Sequence, residues 1–480
     1  MADAIGIDVG TTAVKAIVVG EDGDVLARRE VPYELSTPRP GWAEQDPEDW
    51  VRATEEALDG LAPDGVAGIG LSGQMHGLVA LDAAGAVIRP AILWNDQRTG
   101  AECAEIEARV GLDRLISLTG NRALTGFTAP KLLWLRNHEP ESYARIARVM
   151  LPKDYVRLRL TGEPATDVSD ASGTLLLDVA RRRWSGEVLD ALDIPADWLP
   201  PLLESPDVAG RTPAGVPVAA GAGDQAAGAI GVGVDRPGPL SVALGTSGVV
   251  FAALPAFAAD PQARVHAFCH ARPQAWHAMG VMLSAAGSLR WLRDVAAPGE
   301  DFAALVGSAA RWEPGAEGLT FLPYLSGERT PHGDPDARGS FTGLSVRHDR
   351  GALTRAVLEG VACGLRDSYD LIAALGETRP DRARVSGGGA RSDLWLRIIA
   401  SVLEMPLERV AVEEGAAFGA ALLGGVAGGM WADVEAAVAA CVHTRATIEP
   451  VPEWVEPYRA VQDRYRALYP AINAVQGGTS

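Results

Sequence analysis

The chain reads as an α/β protein of two lobes on three observations: its length, one phosphate-gripping hairpin that occurs twice, and strands alternating with helices in both halves. Its 480 residues exceed what one core serves and fit two domains of roughly 200 residues or more each. The hairpin is Ile5-Gly6-Ile7-Asp8-Val9-Gly10-Thr11-Thr12 near the start and Ser241-Val242-Ala243-Leu244-Gly245-Thr246-Ser247-Gly248 past the middle. In each, an apolar strand runs into Gly-Thr and a hydroxyl residue, so backbone N–H groups and side-chain oxygens can surround phosphate oxygens. One Gly-Thr turn is an ordinary β-turn. Two at nearly half-chain spacing put a single nucleotide between two halves.

The elements follow in order. A strand over 3–10 turns at Gly10-Thr11-Thr12, and a second over 13–19 ends at Glu21-Asp22-Gly23, a hairpin with a loaded tip. Asp46 suits an N-cap, Pro47 the first helical position, and Glu48 and Asp49 the positive helix end, so a helix runs from there to about residue 61. An apolar strand over 66–71 ends in Ser72-Gly73-Gln74-Met75-His76-Gly77 and resumes over 78–81. Residues 91–94 form a strand that ends in Asn95-Asp96-Gln97-Arg98, with a helix over 99–110. A strand over 217–220 leads through Gly221-Ala222-Gly223-Asp224-Gln225 into a small-residue helix over 226–231. Asp235-Arg236-Pro237-Gly238-Pro239 is the strongest boundary signal, which gives domains of 1–237 and 238–480. The second half opens with its own hairpin over 240–253, then helices over 285–295 and 353–375. Arg384-Val385-Ser386 runs into Gly387-Gly388-Gly389, with a helix over 394–403 behind it, an anion or nucleotide platform.

Composition excludes several classes. Apolar residues at 47% and charged residues at 22% are globular proportions. The net charge of −19 argues against a nucleic-acid or anionic-membrane surface, although Mg²⁺ can still carry a nucleotide in. Cys103, Cys269, Cys363 and Cys441 are scattered, and Asp3 and Asp8 interrupt any leader, so the cytoplasm is the expected compartment. The uncharged stretch 416–431 is shorter than the roughly 20 residues of a membrane span and reads as a closely packed buried helix.

Asp8 beside the first turn and Asp224 shortly before the second are the chemical candidates. Phosphoryl transfer asks for Mg²⁺ near the moving phosphate and a carboxylate on the attacking hydroxyl, jobs these two can divide. With an ordinary carboxyl pKa near 4, Asp224 serves by orientation more than by basicity. Gly221-x-Gly223-x-x-Ala226 also matches a relaxed dinucleotide fingerprint, but no ribose-binding acid stands about twenty residues on. No G-x-x-x-x-G-K-[ST] occurs. His266, Cys269, His270 and His277 fit no standard zinc spacing and read as packing residues. His76, between Met75 and Gly77 at a strand end beside Gln74, suits a sugar pocket.

Taken together these segments resemble the FGGY family of carbohydrate kinases from end to end. The resemblance rests also on Trp42-Ala43-Glu44-Gln45-Asp46-Pro47, Phe127-Thr128-Ala129-Pro130-Lys131-Leu132-Leu133-Trp134, Leu151-Pro152-Lys153-Asp154-Tyr155, Tyr324-Leu325-Ser326-Gly327-Glu328-Arg329-Thr330-Pro331 and Gly387-Gly388-Gly389-Ala390-Arg391-Ser392. It implies two actin-like, ribonuclease-H-like domains that close over ATP and sugar in an interdomain cleft. It implies Asp224 as base, Asp8 as the holder of Mg²⁺, and Thr11, Thr12, Lys15, Gly245 and Thr246 on the phosphates. Gly388, Gly389 and Ser392 would line the adenosine pocket, with Trp291 nearby. Met75 and His76 would contact the sugar, with Trp94, Asp96 and Gln225 as neighbours. Gln225 stands where many relatives carry Asn, and Ser392 where several do. The implied activity is ATP-dependent phosphorylation of D-xylulose at its 5-hydroxyl, with a homodimer as candidate assembly. Its rivals are a kinase for ribulose, fuculose, gluconate or glycerol and, from another class, a non-catalytic actin-fold ATP-binding interaction protein.

Overall fold

The computed structural model describes residues 3–61, 65–376 and 379–476. The first half holds β1 (Asp3–Val9), β2 (Ala13–Val19), β3 (Val25–Pro32), α1 (Pro47–Asp59), β4 (Val66–Gly73), α2 (Thr128–His138), α3 (Pro152–Thr161), β5 (Val208–Arg211), β6 (Pro217–Ala219), β7 (Ala222–Gly223) and α4 (Asp224–Gly231). The second holds β8 (Pro239–Leu244), β9 (Gly248–Leu254), β10 (His266–Cys269), β11 (Trp276–Met282), α5 (Ala286–Ala296), α6 (Arg350–Ala373), β12 (Arg382–Ser386), α7 (Asp393–Leu403), β13 (Leu407–Val410), α8 (Gly415–Ala427) and β14 (Thr444–Ile448).

One sheet plan is built twice. The first sheet runs β3-β2-β1-β4-β6-β5, with β7 also beside β4, and the second runs β10-β11-β9-β8-β12-β13-β14. In each, an antiparallel meander (β1 to β3; β8, β9, β11) is extended by two parallel strands and closed by an antiparallel edge. Because β1 pairs with β4 in parallel, and β8 with β12, both strands of each pair deliver their carboxyl ends to the same rim. Polar turns gather there in open α/β sheets.

Local signals set the helices. Asp46 accepts the Glu48 N–H at 3.0 Å and Pro47 occupies the first turn, but α1 ends at Asp59, two residues before the expected stop, because Gly60 takes the C-cap. Asp349 caps α6, which begins three residues earlier than its apolar spacing suggests. α4 begins at Asp224, not at 226, so the carboxylate stands on the first helical residue.

The seam between the halves sets Ile17, Val19 and Ile230 against Phe418, Leu422 and Leu423, and at its glycines the two backbones come into direct contact. The helix α8, though late in the chain, lies on β1 and β4 of the first sheet and on α4. A Cβ on Gly6 would stand 2.0 Å from the Ala417 carbonyl oxygen, one on Gly70 1.9 Å from that of Ala420, and one on Gly419 1.8 Å from that of Ala227. Backbone meets backbone, which only this glycine pattern permits. Among the described residues no helix is long and apolar enough to cross a membrane.

Candidate active site

The site is built on the end of β4. Asp8 on β1 pairs with Ser72 from one side, while Ala222 and Gly223 on β7 pair with Ser72 and Gly73 from the other. Asp8 and Asp224 therefore flank one strand end, two strand spacings or roughly 10 Å apart at the backbone. Asp8 accepts the Ser72 hydroxyl at 2.8 Å. Burial raises its pKa against the pull of Ser72 and Lys15. The Asp224 carboxyl is pushed up to about 7, first by burial and then by the charge of Asp8. That corrects the expectation of an ordinary carboxyl: near neutrality Asp224 is poised between acid and base.

Between the two carboxylates the chain leaves β4 through Gln74-Met75-His76. Met75 packs on the backbone just ahead of Asp224, where a Cβ on Gly223 would meet its Cγ at 2.8 Å and its Sδ at 2.9 Å. His76 holds a left-handed φ of 69°. Three groups fix it there: its Nδ1 lies 2.8 Å from the Gly173 carbonyl oxygen, and its own carbonyl accepts Lys131 Nζ at 2.8 Å and Thr128 Oγ1 at 3.0 Å. Burial, helped by Lys131 and Arg329, lowers the His76 imidazole to about 3, so the ring is neutral.

The first turn is tied back through its carbonyls. Gly10 O accepts Tyr33 OH at 2.5 Å and Gln74 Nε2 at 3.3 Å, and Thr11 O accepts Gln45 Nε2 at 2.7 Å. The Thr11 and Thr12 N–H groups have no protein partner among the described residues, so they remain for an anion. The second turn is docked on α5, whose entry donates N–H from Ala285 and Gly287 to Thr246 O and from Ala286 to Gly245 O, at 2.8 to 3.1 Å. The glycine turn abuts it: Ala243 pairs with Ser386, and a Cβ on Gly387 or Gly389 would run into Leu244. Lys15 and Arg391 reach the neighbouring acids Glu414 and Glu413 at 3.3 and 3.4 Å, which brings the first hairpin and the glycine turn to one place.

Several named residues are otherwise engaged. Asp96 is fully buried, with its carboxylate on the Ala43 N–H at 2.7 Å and on Arg98, so both oxygens already have partners within the fold. Trp94 is 41% exposed and donates Nε1 to Thr11 Oγ1 at 3.0 Å, which sets it against the phosphate turn. Ser392 caps α7 by accepting the Trp395 N–H at 3.2 Å. Gln225 follows Asp224 directly and works against the rise in its pKa. Gly388 is exposed, and Trp291 stacks on Phe321 at 6.0 Å.

One layer escaped the sequence reading. Lys153 is fully buried among Asp154, Asp167 and Asp170 at 2.6, 2.7 and 3.1 Å. With them Arg157 Nη1 holds Ala220 O, Ser205 O holds the Gly221 N–H, and Ser169 Oγ holds the Gly223 N–H. The strand that presents Asp224 is thus clamped from beneath. The run Leu151–Tyr155 was its only trace in the sequence, because its acids lie apart along the chain.

The donor set suits a hard cation. Asp8 offers carboxylate oxygens that burial strips of solvent, and the charge of Asp8 in turn raises Asp224. Among the described residues no group of three His, Cys, Asp or Glu could hold a metal unaided. Mg²⁺ is ordinarily held by one or two carboxylates with water and substrate phosphate, so Asp8 fits it and leaves Asp224 for a hydroxyl.

Comparison with known proteins adds a family to this geometry. The FGGY family of carbohydrate kinases matches through its N-terminal domain at residues 4–231 and its C-terminal domain at residues 240–428. A xylulose kinase of Escherichia coli (strain K12) is 47% identical over 437 residues, 88% of this chain and 90% of that protein. A crystal structure titled as a xyloylose kinase from Brucella ovis superposes with a TM-score of 0.93 at 42% identity, over 98% of this chain and all of the other. That of xylulose kinase from Rhodospirillum rubrum gives 0.93 at 34% identity, over 98% and 99%.

Proposed function

Because the chain belongs to the FGGY family of carbohydrate kinases, we propose that it transfers the γ-phosphoryl group of ATP to the 5-hydroxyl of D-xylulose, giving D-xylulose 5-phosphate and ADP. The observation that carries the chemistry is the pair Asp8 and Asp224 on either side of one strand end, with Met75 and His76 between them. The relatives named xylulose kinase support the choice of sugar.

In this reading Met75, His76, Trp94 and Gln225 border the ketose and hold its 5-hydroxyl against Asp224. Asp224 takes the hydroxyl proton as the new O–P bond forms, and the bond from the γ-phosphorus to the bridging oxygen breaks, leaving ADP. A carboxyl near 7 is matched to that task at neutral pH. The N–H groups of Thr11 and Thr12, with Lys15, Gly245 and Thr246, meet phosphate oxygens. Gly388, Gly389 and the free hydroxyl proton of Ser392 border the adenosine. Asp8 would hold Mg²⁺, which when bound offsets phosphate charge. Residues 1–237 would form the sugar and phosphate side and 238–480 the ATP side. Four unpaired cysteines suit the reducing cytoplasm, which we propose as its compartment.

The test is ADP release against a panel of D-xylulose, ribulose, fuculose, gluconate and glycerol. D-xylulose should give the highest kcat/KM by about tenfold or more, with slow hydrolysis in the absence of sugar. A higher kcat/KM on any other member would overturn the choice of sugar.

A further inference from the structure

The four-residue cluster of His266, Cys269, His270 and His277 is split by the fold. His270 is saturated, with Nε2 2.7 Å from Val234 O and Nδ1 accepting the Ala271 N–H at 2.7 Å. His277 is sealed in the core, stacked on Phe251 at 4.2 Å, and Cys269 is buried. His266 instead comes up to His76. Both rings pack around Phe127, at 5.8 and 4.7 Å, and around Phe268, at 5.5 and 6.2 Å. The two histidines belong to different halves of the chain.

Their hydrogen bonds fix what each ring still offers. His76 Nδ1 faces a carbonyl oxygen and must carry the proton, which leaves Nε2 an acceptor. The Asn121 amide nitrogen donates to Thr119 O and Ala267 O, so its Oδ1 accepts from His266 Nδ1 at 2.6 Å. His266 Nε2 is then an acceptor too. Neither Nε2 has a protein partner among the described residues.

A donor stands beside them. Thr330 exchanges two hydrogen bonds with Val281 and gives its hydroxyl proton to Arg264 O at 2.8 Å. Arg264 and Val281 each lie two residues from the paired His266 and Met279, so the preceding residue, Arg329, is pinned next to His266. The adjacent carboxylate, Glu328, is taken up by the backbone N–H groups of Leu283 and Arg329. The Arg329 guanidinium makes no hydrogen bond or ion pair among the described residues, and its charge helps to keep both histidines neutral.

We infer that His266 and Arg329 are substrate-binding residues that close the sugar pocket from the second lobe, opposite Met75 and His76. Two imidazole acceptors suit hydroxyl protons, and a guanidinium fork suits the oxygens, the ketone included, of an uncharged ketose. The sugar then bridges the lobes through the end remote from its reacting hydroxyl. The inference rests on the kinase reading above.

His266→Phe, which keeps the ring stack, and Arg329→Met test it by initial rates with each substrate varied. The KM for D-xylulose should rise about 10- to 100-fold in each, the loss of one good hydrogen bond to ligand, while the KM for ATP and sugar-free ATP hydrolysis stay within about twofold. A sugar KM within about twofold of the parent, or equal losses toward sugar and ATP, would overturn the inference. If His266→Phe does not fold, Arg329→Met decides alone, with Arg329→Lys expected to restore part of the affinity. A parent enzyme that releases no ADP with any sugar would overturn the kinase reading and this one with it. An active parent with unchanged variants sinks only this one.

Discussion

Asp224→Asn should move activity and stability in opposite directions, because the carboxyl that suits catalysis is one the fold resists ionising. Its pKa stands at about 7 against an ordinary 3.8. When the folded value lies above the unfolded one, the unfolded chain ionises first as pH rises, so stability drains between about pH 4 and about pH 7 and levels off beyond. At about 1.4 kcal/mol per unit the full shift is worth roughly 4 kcal/mol. Asp224 is only half-buried, and water in the groove screens part of this, so about 2 kcal/mol is the working figure. Asparagine keeps the shape and cannot ionise. The variant should therefore unfold at a higher temperature than the parent at about pH 8, with the gap closing as pH falls toward about 4. Its sugar phosphorylation should fall by about 10³-fold, within the range for a lost general base, while nucleotide affinity is nearly unchanged. Melting curves across pH, beside coupled ADP release, check both arms. A stability gap independent of pH, or a variant less stable at about pH 8, would refute the buried-carboxylate argument. Turnover near the parent's would refute the assignment of the base.

Two glycines make sharper steric tests. Gly223 has an ordinary φ of −60°, so alanine there adds no backbone strain, but its methyl would push Met75 aside; sugar KM should rise about tenfold with ATP KM unchanged, and an unaltered sugar KM would speak against Met75 as a sugar contact. Gly70→Ala would place a methyl 1.9 Å from the Ala420 carbonyl and pry α8 off the first sheet, which should cost about 3 kcal/mol in a denaturant melt; an unchanged midpoint would mean that the seam yields easily.

Much of this was legible where chemistry is local. The two hairpins with their hydroxyl tips, the Asp46-Pro47 helix start and the glycine turn before α7 each depend on a few adjacent residues, and each stands close to where the sequence puts it. What stayed hidden depends on partners far along the chain. Asp96 looked free at a strand end, yet Ala43 and Arg98 consume it. Asp224 looked like an ordinary acid, and only the desolvation supplied by its neighbours makes it otherwise. The run 416–431 announced a closely packed helix, but not that its partner would be the first sheet, since small residues signal close approach without naming what approaches. The spacing of His266 fits no metal, and by itself it suggests only packing. Its place beside His76 depends on a contact between halves that no local pattern encodes.

The helix that begins with Asp224 is also where the lobes are joined. α4 lies on α8 through Gly419 against Ala227 and Gly231 against Gly415, backbone on backbone, and α8 lies as closely on β1 and β4. Around those backbone contacts Ile17, Val19 and Ile230 pack with Phe418, Leu422 and Leu423, so the lobes meet over a continuous, closely packed surface. A displacement of α8 would be felt at the residue that orients the hydroxyl, because the helix carrying that residue is one wall of the seam. At the opposite end of the sugar, His266 and Arg329 give the second lobe its reason to move. Sugar held at both ends would draw the lobes together and set Asp224 in one act, so that proton removal is geared to the presence of an acceptor and not to ATP alone.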